Sequence, residues 1–299
     1  MALGLTPEHL ELAAAVRGWS RRHCPAEVVR AIADAADGGA ERYRAELAPA
    51  LAELCLFGLH LPEAVGGQGF GLGELAVALE ELGRALLPGA YLPTVLAAAV
   101  LAEAETRAVL ATDAGAAKLL ARLADGSLAG TVCLATGLAG TRKKDGGLSV
   151  RGEAGPVLAG PLADLIIAAV ATTEGEAWVA LESADLVVAE VTAVDLVRPL
   201  ATIRADGVSV PADRVLAGID RTAVTSLAAI LFGAEACGIA DWAVQTAADY
   251  AKIRHQFGRP IGQFQGVKHR CALMLTGAER AAAAVWDAAR TPPGGDREL

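Results

Sequence analysis

The spacing of apolar residues changes twice along this chain, and these two changes constrain its fold more than any single motif. Up to about residue 125, apolar side chains recur three and four residues apart, the period of a helix packed on one side. From about 126 to 217, short runs of β-type residues alternate with Gly, Pro and Asp. The helical period returns beyond about residue 222. The chain is therefore predicted to be an α+β protein.

Three domains are predicted from these boundaries. Residues 1–125 form an N-terminal α-helical domain, 126–217 a middle antiparallel β domain, and 218–299 a C-terminal helical bundle. The strands of the middle domain are short and closely spaced, as in a small barrel or sandwich. Thr6-Pro7 is the predicted start of the first helix, because threonine is a good N-cap and proline favours the first turn.

Two long helices are predicted in the C-terminal domain, joined by a short loop. The first runs to about Ile253, a length typical of a bundle helix. In the second, apolar residues recur in alternating steps of three and four, which predicts packing along its whole length. The residues of this seam are Phe264, Val267, Cys271, Met274, Ala278, Ala281, Val285 and Ala288.

Charge and hydropathy exclude several classes of partner. The net charge of −9 disfavours nucleic acid, because phosphate contacts need clustered Lys and Arg. Mean hydropathy is +0.40, yet no uninterrupted apolar stretch reaches the roughly 20 residues of a transmembrane helix, so no membrane span is predicted. The N-terminus MALGLTPEHLEL is acidic where a signal peptide would be basic, and a cytoplasmic location is the default.

The residues that most often form metal sites and nucleophilic sites lack the required spacing. The five cysteines are scattered without a CxxC pair and are expected to be buried, reduced thiols. HExxH, EF-hand and GxSxG motifs are missing from the sequence, so neither a metal nor a catalytic serine is predicted. Four histidines, His9, His60, His255 and His269, stand alone and are given no catalytic role.

A glycine-rich stretch, HLPEAVGGQGFGLG, lies between two predicted helices of the N-terminal domain. It has neither the GxGxxG spacing nor the GK[ST] ending of phosphate-binding loops. Glycines also allow tight connections, because they adopt positive φ and permit close approach. We therefore predict a connector and not a phosphate cradle.

The loop between the two long C-terminal helices, YAKIRHQFGRPIGQFQGVKHR (residues 250–270), combines residues suited to a nucleotide. The guanidinium of Arg254 could bind a diphosphate bidentately. Phe257 offers a ring face, and Gln256 and Gln265 offer donors and acceptors for ribose or adenine edges. The run from Arg259 to Gly262 is predicted to form a tight turn, with proline second and glycine fourth.

Composition alone leaves a second interpretation of this loop open and favours it. Arg254 would then make a surface ion pair, and Phe257 would close the end of the bundle. Neither role involves a ligand.

The same stretch resembles the C-terminal signature of the acyl-CoA dehydrogenase family, R-x-x-F-G-x-x-I-x-x-x-Q. The segments LFGLHLPEAVGGQGFGLGELAVALEELGRALLPG and ATIRADGVSVPADRVL are similar to two others of that family. The resemblance implies a helical domain, a β domain and a bundle around FAD, tetramers formed through the bundles, and a scaffolding role for the glycine-rich loop. It also implies that Arg254, Gln256, Phe257 and Gln265 hold the ADP half of an FAD lodged mainly in a neighbouring subunit.

The chemistry implied by the resemblance is α,β-dehydrogenation of an acyl-CoA thioester, with electron-transfer flavoprotein as the electron acceptor. A glutamate removes the α-proton and a hydride passes from the β-carbon to the flavin. In many members this glutamate lies well beyond the signature, and the sequence ends at TPPGGDREL before reaching it. In others it lies where this chain has Ala228 and Ala229. No catalytic residue is therefore assigned, the bundle is expected to be incomplete, and its uncovered seam is expected to cause association or poor stability.

The flavin side of the β domain also departs from the family. A-T-G-L-A-G-T-R (Ala135 to Arg142) replaces T-E-P-x-x-G-S-D, keeping only Gly140, and Pro156-Val157-Leu158 replaces Trp-Ile-Thr. We predict a non-catalytic or half-site subunit that clamps the ADP half of FAD for a homologous partner chain. LLPGAYLPTVLA is similar to a segment of heteromeric enzymes from steroid-degrading actinobacteria.

Two alternatives remain open. One is a homotetrameric dehydrogenase with an unrecognised base; its best candidate, Glu235, is about 10 Å along the helix from Ala228. The other is a non-enzymatic or truncated family member, in which the signature only packs the bundle.

Overall fold

The computed structural model of the chain describes residues 5–35, 39–107 and 114–291. Its helices are α1 (Pro7–His23), α2 (Ala26–Ala33), α3 (Ala40–Arg42), α4 (Ala48–Glu53), α5 (Leu72–Arg84), α6 (Tyr91–Arg107), α7 (Ala114–Ala124), α8 (Arg221–Ile253) and α9 (Gln265–Arg290). Its strands are β1 (Gly130–Arg142), β2 (Leu148–Leu158), β3 (Leu165–Thr172), β4 (Gly175–Glu182), β5 (Val187–Val191), β6 (Leu200–Val210), β7 (Val215–Leu216), β8 (His255–Gln256) and β9 (Arg259–Pro260). A π-helical turn, Tyr43–Leu47, precedes α4. The predicted order of helices, strands and helices is confirmed.

The chain groups into two compact units, each built from segments distant in sequence. The helical unit takes Met1–Ala26, Leu72–Leu87 and Ile230–Leu299. The sheet unit takes Glu27–Gly71 and Pro88–Ala229. These two units do not test the predicted division into three consecutive domains at about residues 125 and 217. That division stays a prediction.

The first helix of the helical unit begins as predicted, at Thr6. The Thr6 side chain accepts a hydrogen bond from the backbone N–H of His9, and the His9 ring accepts one from the backbone N–H of Thr6, at 3.4 and 3.0 Å. This reciprocal pair satisfies two of the free amides at the helix start. Arg17 then ties α1 to α5 through two hydrogen bonds to Glu81, at 2.8 and 2.6 Å.

Glycines bring α5 and α8 unusually close within the helical unit. A Cβ atom at Gly238 would collide with the backbone carbonyl of Glu80, and one at Gly83 would collide with that of Glu235. Only glycine allows two helix backbones to approach in this way. Glu235 is buried at this crossing.

The sheet unit is organised around one seven-stranded sheet in the order β5-β6-β2-β1-β3-β4-β7. Its core contains fully buried aliphatic side chains such as Ile166, Val179 and Ile203. Helix α6 is joined to the sheet by Thr94, whose hydroxyl accepts a hydrogen bond from Gly130 N–H at 3.1 Å.

The sheet is mixed, and the prediction of a wholly antiparallel domain was wrong for one pair. β1 and β3 are parallel, whereas the other neighbours are antiparallel. β2 folds back beside β1, and the chain then crosses to the other side of β1 through Gly160–Leu162. β3 therefore runs in the same direction as β1.

The glycine-rich loop after α4 closes on itself. The backbone N–H groups of Gly66, Gly67, Gln68, Gly69 and Phe70 all donate to carbonyls of residues 58 to 63, at 2.8–3.2 Å. Amides that are already bonded in this way are not available to a phosphate. The stretch is the connector that was predicted.

The fully buried side chains of α9 lie near its C-terminal end. Trp286 and Ala289 are buried, whereas Leu273, Met274 and Leu275 are exposed. Of the eight residues of the predicted seam, six are partly buried, and Met274 and Ala281 are exposed, so the seam is packed only in part in both halves of the helix. Trp286, outside that seam, is the main buried side chain because its ring packs beside His9 of α1, with centroids 5.3 Å apart.

Helix α8 is long and apolar enough to cross a membrane if only length and composition are considered, and half of its most apolar window is buried. The core helix of a globular protein meets the same criteria. This property of α8 is therefore no more than weak support for a membrane span.

The cysteines are all reduced. Cys24, Cys133 and Cys237 are buried, as expected, whereas Cys271 is only partly buried. Cys55 is exposed, which corrects the prediction for that residue, because it lies in the turn that follows α4. Within residues 5–35, 39–107 and 114–291, no group of three or more His, Cys, Asp or Glu side chains could hold a metal ion.

Candidate nucleotide-binding site

A two-residue hairpin joins α8 to α9 and carries most of the predicted site. His255 pairs with Pro260, and Gln256 pairs with Arg259. The pairing continues by one step, because the N–H of Ile261 donates to the carbonyl of Arg254 at 2.8 Å. The tight turn is therefore at Phe257-Gly258, and the prediction of a turn from Arg259 to Gly262 was wrong.

The conformation of the hairpin tip explains this correction. Phe257 and Gly258 both have positive φ, 52° and 78°. Positive φ at both central residues is the geometry of the type I′ turn, which matches the twist of the two flanking strands. Glycine adopts it readily, but a bulky residue seldom does.

Phe257 is an exposed aromatic residue on a strained backbone. Its side chain is 92% exposed. A non-glycine residue in the left-handed region costs on the order of 1–3 kcal/mol, and such residues cluster at ligand clamps. The only ring beside it in the described chain is Phe264, edge to face with centroids 6.0 Å apart. Phe257 therefore does not close the end of the bundle within this chain.

Arg254 is exposed at the base of the hairpin. No hydrogen bond or ion pair joins its guanidinium to any of residues 5–35, 39–107 or 114–291. Asp249, the nearest carboxylate in sequence, instead accepts hydrogen bonds from Gln245 and Lys252, at 3.0 and 2.7 Å. These two bonds, with that from Gln245 the larger influence, lower the pKa of Asp249. The surface ion pair considered for Arg254 is thus not formed with the described residues.

Local charge makes this hairpin different from the rest of the acidic chain. From Tyr250 to Ala278 the sequence has no Asp and no Glu. The same stretch holds five cations: Lys252, Arg254, Arg259, Lys268 and Arg270. An anionic ligand would meet favourable charge here, whereas the net charge of the whole chain would repel it.

The predicted site residues are partly brought together. Arg254, Gln256 and Phe257 lie on the hairpin, whereas Gln265 is the exposed first residue of α9. Gln265 directly follows Phe264, whose ring contacts Phe257. No hydrogen bond links Gln265 to the hairpin within the described residues.

Two residues of the site were missed from the sequence. Arg259 lies over the ring of Phe264, with its guanidinium carbon 4.3 Å from the ring centroid. Arg259 was considered only as a turn residue, and Phe264 only as a bundle residue. Neither role in the site has a local sequence signal, because Phe-Gly is not one of the strong hairpin turn pairs and the facing of Arg259 and Gln256 depends on the register of the strands.

The positions where the resemblance places the catalytic base and the flavin contacts have few groups here that could act in those roles. Ala228 is buried in α8 and carries no proton acceptor, and Glu235 packs against Gly83. Val157 is buried in the sheet core, and Pro156 has no backbone N–H. Arg142 is engaged with Glu174 and with the carbonyl of Gly146. The exposed hairpin offers donors of the kind that a diphosphate and a ribose need, whereas no base is placed at the positions named here, so no catalytic step is assigned to this chain.

Two models of one family match the chain. The acyl-CoA dehydrogenase N-terminal domain matches residues 6–127, and the acyl-CoA dehydrogenase C-terminal domain matches residues 222–298. The seven-stranded sheet lies between the two matched segments, after residue 127 and before residue 222.

Similar proteins carry the same family description. Acyl-CoA dehydrogenase FadE34 of Mycobacterium tuberculosis is 33% identical over 99% of this chain and 39% of its own length. Acyl-CoA dehydrogenase IpdE2 of the same organism is 32% identical over 78% of this chain and 61% of its own length. Benzylmalonyl-CoA dehydrogenase of Aromatoleum aromaticum is 30% identical over 80% of this chain and 68% of its own length. The chain thus spans less than two thirds of FadE34 and of IpdE2.

Solved structures of this fold superpose over nearly the whole chain. A variant of the Tcur3481-Tcur3483 steroid ACAD has a TM-score of 0.83 at 28% identity and covers 94% of this chain and 76% of its own. The ChsE4-ChsE5 complex from Mycobacterium tuberculosis has a TM-score of 0.82 at 25% identity, and the match covers 97% of this chain and 81% of the matched chain. The chain belongs to the acyl-CoA dehydrogenase family of FAD-dependent oxidoreductases.

Proposed function

We propose that this chain is a half-site or non-catalytic subunit of a heteromeric acyl-CoA dehydrogenase. Its α8–α9 hairpin clamps the ADP half of an FAD whose flavin and catalytic base belong to a homologous partner chain. The single observation that carries the proposal is the exposed hairpin, where Arg254 has no counter-ion among the described residues and Phe257 is held in a strained conformation.

The reaction of the assembled enzyme would be α,β-dehydrogenation of an acyl-CoA thioester. The chemistry that FAD would supply when bound is acceptance of the hydride from the β-carbon. The residues of this chain would bind and orient the nucleotide: Arg254 on the phosphates, Gln256 and Gln265 on ribose or adenine edges, and Phe257 against an apolar face. Electron-transfer flavoprotein is the proposed electron acceptor, and the cytoplasm is the proposed location.

A partner chain is supported by two similar structures whose names each join two chains, ChsE4-ChsE5 and Tcur3481-Tcur3483. The second of these is described as a steroid ACAD, which favours a fatty acyl or steroid side-chain thioester as the substrate class.

The alternative of an active homotetramer requires a base in this chain. Glu235 is the candidate, but it is buried against Gly83 at the crossing of α5 and α8. A base must come within about 3 Å of the proton that it removes. A carboxylate enclosed by two helix backbones is poorly placed for that role.

Co-purification with homologous acyl-CoA dehydrogenase chains tests the proposal. We expect the chain alone to carry little flavin, and a cognate complex to carry FAD and oxidise an acyl-CoA. In that complex, Arg254→Ala should leave assembly intact and lower the flavin content, measured by absorbance per subunit. Stoichiometric flavin and acyl-CoA oxidation by the chain alone would overturn the half-site role. Unchanged flavin content in the Arg254→Ala complex would remove Arg254 from the site.

A further inference from the structure

The register of the hairpin places a second arginine beside Arg254. Arg254 continues the pairing opposite Ile261, and Arg259 lies two residues before Ile261 on the other strand. Residues related in this way are diagonal neighbours, about 7–8 Å apart and within reach of each other's long side chains. Because side chains alternate across a strand, Arg254, Gln256 and Arg259 project from one face of the hairpin.

Arg259 is held in place by an aromatic ring and not by an acid. Its guanidinium lies 4.3 Å over the ring of Phe264. Stacking on a ring orients the guanidinium plane but leaves its edge N–H groups free to donate. No carboxylate pairs with Arg259 within the described part of the chain.

Two guanidiniums on diagonal neighbours suit a ligand with two linked phosphates. One guanidinium fork binds two oxygens of a single phosphate. A monophosphate can therefore occupy one fork, whereas a diphosphate can occupy both. Resting on the function proposed above, we propose that Arg259 is a second phosphate-binding residue and that, with Arg254, it selects a nucleoside diphosphate over a monophosphate.

The diphosphate could belong to FAD or to the coenzyme A part of the substrate, which share this chemistry. Titration calorimetry of the purified chain at low salt, with ADP, AMP, FAD and coenzyme A as separate probes at up to millimolar concentration, distinguishes them. We expect tighter binding of ADP than of AMP, and of FAD than of coenzyme A. Tighter binding of coenzyme A than of FAD would keep the two-arginine site and overturn the FAD assignment.

Variants at Arg259 test the inference itself. Arg259→Ala should weaken ADP binding about tenfold or more, the usual effect of losing a hydrogen bond to a charged group, and should change AMP binding much less. Arg259→Lys keeps the charge but loses the fork, so it should recover only part of the affinity. Arg280→Ala, an exposed arginine farther along α9, removes the same charge and is the matched control.

The outcomes separate the two proposals. If Arg259→Ala behaves like Arg280→Ala while Arg254→Ala abolishes binding, the second phosphate contact is wrong and the proposed function stands. If the unaltered chain binds none of the four probes, the second phosphate contact is wrong, whereas the proposed function is decided by the flavin content of the co-purified complex. Thermal unfolding of each variant shows whether a loss of binding reflects a loss of fold.

Discussion

Phe257 shows how one residue can combine a structural penalty with a candidate role. It has a φ of 52° and gains little burial, since Phe264 is the only ring beside it among the residues that the structure describes. A conformation of this kind persists where the surrounding structure imposes it, and here the two paired strands do so. The interpretation of Phe257 as a plug was based on composition, which carries no information about φ.

The partly buried carboxylate of Glu80 gives the helical unit a specific response to pH. Burial raises its pKa, as do Glu81 and Glu279 nearby, while Arg84 and a hydrogen bond from Trp286 act in the opposite direction. Since the pKa is raised in the folded state, the stabilising contribution of protonated Glu80 is present at low pH. It is lost as pH rises through the folded-state pKa.

We therefore expect Glu80→Gln to raise the unfolding temperature at pH 7 and to flatten the decline in stability from pH 4.5 upwards. Glutamine keeps the hydrogen-bonding shape without the charge. Thermal unfolding followed by circular dichroism at several pH values measures this. Glu11→Gln, an exposed site on α1, should leave the profile unchanged. A Glu80→Gln profile parallel to that of the unaltered protein would contradict the assignment.

At the scale of elements, the crossing of α5 and α8 depends on glycine. A Cβ at Gly238 would overlap the carbonyl of Glu80 and lie 2.8 Å from the amide nitrogen of Arg84. Neither of these backbone atoms can rotate away. The two helices would have to separate.

We expect Gly238→Ala to destabilise the protein by at least the roughly 1–3 kcal/mol typical of overpacking, although alanine is the better helix former. The melting temperature should fall accordingly. Gly277→Ala is the matched control, because no atom lies within 4 Å of the added Cβ and alanine should stabilise α9 slightly. Equal melting temperatures for the two variants would show that α5 and α8 can adjust.

Most elements could be predicted from the sequence, and the exceptions have physical reasons. The Thr6 cap and the helix and strand order depend on local spacing and were confirmed. The parallel pairing of β1 and β3 depends on the side of β1 to which the chain returns after β2. The pattern of apolar residues along β3 would be the same on either side, so it does not predict the pairing. The hairpin turn was misplaced because Pro260 is a stronger local turn signal than Phe257, and the pairing of the strands overrides that signal.

Four residues of the candidate site were proposed from the sequence, but the geometry of the hairpin was not predictable. The signature identified Arg254, Gln256, Phe257 and Gln265, whose roles stay a proposal. Arg259 faces Gln256 because of the register in which the two hairpin strands pair. No single residue in the sequence indicates that register.

At the scale of the whole molecule, the helical unit leaves many large apolar side chains uncovered. The residues that are at least 40% exposed on α8, α9 and their hairpin are Trp242, Tyr250, Ile253, Phe257, Leu273, Met274 and Leu275. Large exposed apolar surface is typical of a protein–protein interface. This agrees with the expected association of the bundle and with the proposed partner chain.

We expect Leu273→Glu to reduce association, because it places a charge where a partner would bury an apolar side chain. Sedimentation of the chain alone and of the co-purified complex measures the effect. Val194→Glu is the control, since Val194 is equally apolar and fully exposed but lies in a loop of the sheet unit. If Leu273→Glu leaves the mass in solution unchanged, this face of α9 is not part of the interface.

The cationic run of the hairpin also affects how such a partner would arrive. This chain, with a net charge of −9, would repel an acidic partner at long range, except when its basic tip meets the acidic surface of that partner. Diffusional encounters in that orientation are favoured over all others before any short-range contact forms. Dissolved salt would shield this guidance, so ionic strength would act mainly on the speed of assembly and much less on the lifetime of the finished complex.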